Sequence, residues 1–397
     1  MVTYPSDWDV VELGTKCKVT SSKRVFEKEW TKSGVPFFRT RDIANFHSGE
    51  EQKDKLYISE ETYREKVASS GEPKKGDLLV TGVGTIGLPY LVNSDDKMYF
   101  KDGNIMWLKK SDFFDSKFLY LLFSSKYIKD QILDKSGFTT VGTFTIQNAK
   151  KLNIPQPSLP EQKAIASALS DFEEHIDNLS ELIEKKKGIR DGALEDLVSG
   201  RTRLDGFNGE WINVKLSDFA QINPSSALPE VFKYVDLESV KGITLMGWRV
   251  ERKETAPSRA KRLAQFGDIF FQTVRPYQRN NYLFELSDED VVFSTGYAQL
   301  RTKNDARFLF LLLRQDDFVN EVLDNCTGTS YPAINPSKLS DIKIYVPIDK
   351  NEQQAIAEVL TAMDEEIESL KIEKEKMIQI KEGAMDDLLT GRVRLKV

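Results

Sequence analysis

Three glycines, Gly82, Gly84 and Gly87, stand in G-x-G-x-x-G spacing inside "GDLLVTGVGTIGLPY" (76–90), directly after the strand-like run Leu78-Leu79-Val80. A dinucleotide-binding loop uses that spacing, with the pyrophosphate received by a helix that starts right after the third glycine. Here Gly87 is followed by Leu88-Pro89-Tyr90-Leu91-Val92, an extended run. The expectation is therefore a strand–turn–strand whose glycines permit tight turning or close backbone approach. Histidine catalysis has little to work with. His175 lies in the charged helical run "SDFEEHIDNLSE" and His47 in the loop-like "ANFHSGEEQ", and neither has a Cys or His at metal-ligand spacing. Cys17 and Cys326 are too few for a disulfide framework or a zinc cluster. Both read as small, partly buried apolar residues.

A different chemistry is better supplied. "GWRVERKETAPSRAKR" (247–262) has six bases, Arg249 and Arg252 among them, against two acids. "QTVRPYQRNNY" (272–282) gathers Arg275, Tyr277, Gln278, Arg279 and Asn280, and "PFFRTRDI" supplies Arg39 and Arg41. Arg, Gln and Asn make paired hydrogen bonds to base edges, while Lys and Arg neutralise phosphates. Each stretch also has a plainer reading: a basic loop as solvated surface, and "RPYQRN" as a turn fixed by Pro276.

The elements that must position these residues are written twice. Residues 161–204 and 352–395 align without a gap at an offset of 191, with 20 identities in 44 positions. Upstream, "DWDVVELGTKCKVT" pairs with "EWINVKLSDFAQIN", and "PKKGDLLVTGVG" with "AQFGDIFFQTVR", placing Gly76-Asp77 opposite Gly267-Asp268. The chain thus reads as module (1–155), helix (156–205), module (206–346), helix (347–397). In the first helix Ile165, Leu169, Phe172, Ile176, Leu179 and Ile183 step by four and three. In the second, Ile356, Leu360, Met363, Ile367 and Leu370 do the same. Such a seam lies on one helix face, and the simplest partner for each is the other helix, giving an intramolecular coiled coil; the alternative is two separate helices, each packing on its own module. Within the modules "KYVDLESV", "GDIFFQTVR" and "VVFSTGYAQLRTK" read as strands. "DSKFLYLLFSSKYIKDQILD" and "DARFLFLLLRQDDFVNEVLD" read as amphipathic helices in matching places. The fold class expected is α+β: two similar mixed α/β modules and two long antiparallel helices, with pseudo-two-fold symmetry.

The net charge of −6 is unevenly held. The two helical segments carry −3 and −5, leaving the rest of the chain at +2. No run of 18 apolar residues is present, so no membrane span is expected. The opening "MVTYPSDWDVVEL" lacks a basic-then-apolar signal pattern, which makes a cytoplasmic protein the expectation.

This organisation resembles the specificity subunit of type I restriction-modification systems, over nearly the whole chain. The resemblance rests on "LPEQKAIASAL" and "NEQQAIAEVL" opening the helices and "GALEDLVSGRTRL" and "GAMDDLLTGRVRL" closing them. "GDLLVTGVGTIG", "GDIFFQTVRPYQRN", "FSTGYAQLRTK" and "GTSYPAIN" carry it through the modules. It implies two target-recognition domains joined by an antiparallel spacer, in a non-catalytic protein reading a bipartite site on double-stranded DNA. The implied partners are two methyltransferase subunits carrying S-adenosylmethionine and ATP-dependent restriction subunits. ATP and Mg belong to those partners, with no cofactor in this chain. Half-site centres about 34 Å apart would let both be read from one side of the duplex. In the second module Thr329, Ser330 and Tyr331 join Arg275–Asn280 as candidate DNA contacts. By alignment Thr81, Val83 and Thr85 hold the equivalent loop of the first, with Arg39, Arg41, Thr139 and Thr140 beside them. The alternatives are a coiled-coil scaffold whose modules bind proteins without DNA specificity, and a dinucleotide-dependent enzyme resting on the glycine motif alone.

Overall fold

Strands Leu78–Thr81 and Ile105–Leu108 are buried at every position, because both faces of their sheet are covered. Alternate side chains point to opposite faces of a strand. Leu78, Val80, Met106 and Leu108 accordingly join Phe118, Leu122, Ile165 and Leu169 in one core, and Leu79, Ile105 and Trp107 join Ile43 and Phe100 in another. Each large side chain so buried contributes roughly 1.5–3 kcal/mol. The computed structural model in which this is seen describes residues 3–48, 54–136, 143–328 and 330–396. It divides into two units, Met1–Ser180 with Glu373–Val397, and Glu181–Ile372.

In the first unit the sheet order is Val19–Thr20, Ile105–Leu108, Leu78–Thr81, Pro89–Leu91, all antiparallel. A second sheet orders Trp30–Thr31, Tyr57–Ile58, Val35–Phe38 and Tyr99–Phe100, its last pair parallel. The second unit repeats this plan. Ala220–Ile222, Tyr297–Thr302, Ile269–Gln272 and Tyr282–Leu283 form one sheet. Arg249–Arg252, Val231–Val235, Val291–Ser294 and Ala260–Leu263 form the other, again with one parallel pair. The two-core division recurs: Ile269, Phe271 and Leu300 pack with Phe308 and Leu360, whereas Phe270 and Tyr297 pack with Phe284 and Phe293.

The repeated sequence words are the joints of this plan. Asp77 is buried and accepts from Trp107 Nε1 (2.8 Å) and from the backbone N–H groups of Lys74 (2.9 Å) and Lys110 (2.7 Å). Its counterpart Asp268 accepts from Gln299 Nε2, Arg301 Nε and Arg301 Nη2, each at 2.7 Å, and from the Gln265 N–H at 2.8 Å. That hydrogen bonding holds the Arg301 guanidinium above its ordinary pKa. Gln162 bridges the Asp115 N–H and the carbonyls of Phe113 and Pro157, and Gln353 bridges the Asp305 N–H and the Pro347 carbonyl. Each glutamine thereby ties the start of a long helix to the N-terminus of a module helix.

The long helices span Leu159–Val198 and Lys350–Thr390. Within the first unit Lys381 meets Glu173 at 2.9 Å and Glu373 faces His175 at 3.8 Å. Within the second, Arg190 makes two bonds to Asp364 (2.8 and 2.9 Å) and Lys186 meets Glu366 at 2.7 Å. Rising numbers on one helix meet falling numbers on the other, so the pair is antiparallel in each unit. The seam serves two purposes rather than one. Ile165 and Leu169, and likewise Ile356 and Leu360, are buried in module cores. Further along, Leu179, Ile183 and Ile367 are buried and Phe172, Ile176, Met363 and Leu370 half-buried.

Two expectations are corrected. Each amphipathic module helix is a broken pair, Ser116–Ser124 with Lys126–Ser136 and Ala306–Leu312 with Asp316–Asp324. In the first, Ser125 is extended (ψ 153°) and its hydroxyl donates to the Leu122 carbonyl at 2.6 Å, which competes with helix continuation. "VVFSTGYAQLRTK" is two strands, Val291–Ser294 and Tyr297–Thr302, in different sheets.

Candidate nucleic-acid interface

The glycine motif is the turn of an antiparallel hairpin, Leu78–Thr81 against Pro89–Leu91, so a strand and not a helix follows Gly87. A Cβ on Gly82 would sit 2.8 Å from the Phe144 carbonyl oxygen, so this glycine answers a close backbone approach. Gly87 has φ +80°, and a Cβ there would lie 2.9 Å from Ile132 Cδ1. Thr81 is fully buried: its hydroxyl donates to the Thr85 carbonyl (2.5 Å) and accepts from the Leu88 N–H (2.9 Å). Thr81 therefore shapes the loop from inside, while Val83 is half-buried and Thr85 exposed on it.

The same strand end in the second unit is handled by Gln272, which sequence reading missed. It is buried, and its Nε2 donates to the Val274 carbonyl (2.7 Å) and to Gln278 Oε1 (2.9 Å). Its Oε1 accepts from the Asn280 N–H at 3.2 Å. The signal was its alignment with Thr81. Around it Pro276–Gln278 form one 3-10 turn, flanked by Arg275 (φ 53°) and Arg279 (φ 54°). Left-handed backbone is unfavourable for L-residues other than glycine and concentrates at functional sites.

This loop gathers several predicted residues. Arg275 lies over the Tyr331 ring, 4.4 Å from its centroid, and its N–H donates to the Pro332 carbonyl at 2.8 Å. Tyr277, Ser330 and Tyr331 are exposed. Arg279 is partly committed, with Nη2 on Asp316 at 2.7 Å. Arg249 and Arg252 stand on the other sheet, on the edge strand Arg249–Arg252. Arg249 pairs with Glu251 (2.8 Å) and Asp236 (3.3 Å), whereas among the described residues Arg252 and Arg275 have no carboxylate partner. In the first unit Arg39 is engaged by Asp42 (2.9 and 3.0 Å) and the Asp54 carbonyl, at the start of helix Thr40–Ser48. Arg41 is exposed, 3.5 Å from Asp54. Thr139, Thr140 and Thr329 lie outside the described residues.

Both units thus end equivalent strands in loops organised by a buried polar side chain, and the loops differ in chemistry. The first displays glycine, valine and threonine; the second displays arginine, tyrosine and glutamine. The polar side chains of both loops can pair with base edges and phosphates, and the valine can make apolar contact only. Among the described residues no group of three or more His, Cys, Asp or Glu could hold a metal ion, and no helix is long and apolar enough to cross a membrane.

A family model described as the type I restriction modification DNA specificity domain matches residues 5–186 and again 208–381. The chain is similar to the type I restriction enzyme MjaVIII specificity subunit of Methanocaldococcus jannaschii, 25% identical over 99% of this chain and 94% of that one. It is also similar to the putative type I restriction enzyme MjaX specificity subunit of the same organism, 26% identical over 99% and 95%. In fold it is similar to the crystal structure of the HsdS subunit from Thermoanaerobacter tengcongensis, with a TM-score of 0.58 at 17% identity over 98% of both chains.

Proposed function

The chain belongs to the type I restriction-modification DNA specificity family, and from that premise we propose that it reads an asymmetric, bipartite site on double-stranded DNA, one half-site per module. The observation that carries this reading is the pair of loops at equivalent strand ends, one organised by Thr81 and one by Gln272. A common framework gives both modules the same means of presenting a loop. The different side chains on the two loops give two different half-sites, separated by a gap that neither loop reads. Arg275, Tyr277, Gln278 and Ser330 are the base-edge and phosphate contacts of the second module, and Val83 and Thr85 those of the first.

The chain itself performs no catalysis in this reading. Two methyltransferase subunits supply S-adenosylmethionine, and the restriction subunits use ATP and Mg. The acidic helical segments suit those protein partners better than they suit DNA, which they repel.

The test is binding of duplex DNA by the assembled complex across a range of salt concentrations, with methylation-aware sequencing of the modified DNA. A steep salt dependence reporting several phosphate contacts, and methylation at one two-part asymmetric motif, support the reading. Salt-independent binding with methylation at no defined motif would leave a protein-binding scaffold instead.

A further inference from the structure

Strands Val240–Lys241 and Thr244–Leu245 form a two-stranded sheet of their own, paired Val240↔Leu245 and Lys241↔Thr244 and turned through Gly242 at φ +61°. The base of this ribbon is anchored: Val240 is buried with Val235, Phe284 and Phe293, and Leu245 packs against them. The Met246 N–H also returns to the Ser239 carbonyl at 2.8 Å. Its tip is not anchored in any core, and Lys241, Gly242, Ile243 and Thr244 are all exposed, Ile243 at 46%.

One bond fixes where the tip lies. The Gly242 N–H donates to Asn280 Oδ1 at 2.9 Å, and the Asn280 N–H donates to Gln272 Oε1. The relay from the buried strand end through Gln272 to Asn280 therefore holds the ribbon tip against the Arg275–Asn280 loop. We propose that this ribbon is a second reading element of the module, entering the major groove beside that loop, with Asn280 as its positioning residue.

The inference rests on the proposed DNA reading and extends it to residues 241–244. The major groove, about 12 Å wide, admits a two-stranded β-ribbon. The tip carries the side chains such a ribbon needs. Ile243 packs on a thymine methyl, the Thr244 hydroxyl bonds a base edge, and Lys241 neutralises a phosphate. Ile243 stands in the wall of a cleft that it lines with Gly242, Gln278 and Arg279, about half of it open to solvent, and a base edge gives that open half a partner.

The test uses the assembled complex with Ile243→Ala, Lys241→Ala, Asn280→Ala, Asn280→Asp and Arg275→Ala. Site preference is read by methylation-aware sequencing, and affinity is measured on cognate and scrambled duplexes over a salt series. Ile243→Ala relaxes preference within a single half-site by about five- to tenfold and leaves binding to scrambled duplex unchanged. Lys241→Ala weakens both duplexes alike and lowers the salt slope by about one. Asn280→Ala relaxes the same positions as Ile243→Ala, and Asn280→Asp, which keeps the accepting oxygen, restores the preference at those positions while its charge weakens binding to cognate and scrambled duplexes alike. If Ile243→Ala and Lys241→Ala change nothing while Arg275→Ala abolishes recognition, the ribbon inference is overturned and the loop reading stands. If Arg275→Ala also changes nothing, the loop reading falls with it.

Discussion

Arg394 and Glu161, 233 residues apart in the chain, meet under the indole of Trp8. Arg394 Nη2 lies 3.0 Å from Glu161 Oε2, Trp8 Nε1 donates to the same oxygen at 3.1 Å, and the guanidinium sits 5.4 Å from the indole centroid. The second unit repeats the triad with Arg203, Glu352 and Trp211: Arg203 Nη2–Glu352 Oε2 is 2.8 Å and Trp211 Nε1–Glu352 Oε1 is 3.2 Å. In each unit the arginine follows the end of one long helix and the glutamate opens the other.

Replacing either arginine leaves a buried carboxylate with only an indole N–H. Arg203→Ala is expected to destabilise the second unit by about 3 kcal/mol, because Glu352 is fully buried. Arg203→Ala with Glu352→Gln together should cost less than Arg203→Ala alone. Urea unfolding of the wild type and the two variants checks both statements.

Substitutions within the glycine motif separate its members by cause. Gly82→Ala forces a Cβ to 2.8 Å from the Phe144 carbonyl oxygen, whereas a Cβ at Gly84 meets nothing within 4 Å and answers only to φ +71°. Gly84→Ala is expected to cost about 1–2 kcal/mol, the ordinary penalty of left-handed backbone. Gly82→Ala costs more, since two backbone segments must part. Neither change alters a response to NAD or S-adenosylmethionine, because the isolated chain is expected to bind neither. Thermal melts with and without these compounds measure both effects.

Glu173 sets a pH dependence in the first unit. Burial raises its pKa, but the hydrogen bonds from Lys117 (2.6 Å) and Lys381 (2.9 Å) outweigh burial and hold it below the ordinary glutamate value. A depressed carboxylate stabilises the fold above its unfolded pKa, about 4.3, and loses that contribution as pH falls through the folded value. The stability difference between the wild type and Glu173→Gln is therefore about 1 kcal/mol at pH 7 and shrinks toward pH 3. Urea midpoints at the two pH values test it.

The repeat, the heptad seams and the hairpin nature of 76–90 were legible because each is a pattern in residue type. "EQ", "GD" and "GR-x-RL" were visible as repeated words, yet their role was not. Glu161, Asp77 and Arg394 act through contacts across many residues of sequence, and no local spacing encodes those. The breaks at Ser125 and Gln315 escaped because neither carries Pro or Gly. Among site residues, Arg275 and Tyr277 were readable as surface chemistry. Arg39 and Thr81 were readable by type but face inward, to Asp42 and the Thr85 carbonyl. The ribbon at 240–245 gave no signal, since its importance lies in one bond to Asn280.

In the proposed reading each module recognises its own half-site. Replacing residues 1–155 by the corresponding module of another family member, assembling the hybrid with the methyltransferase subunits and sequencing the methylated DNA tests it most directly. The account predicts that one half-site changes while the other half-site and the gap persist. A change in both half-sites, or in neither, would contradict it.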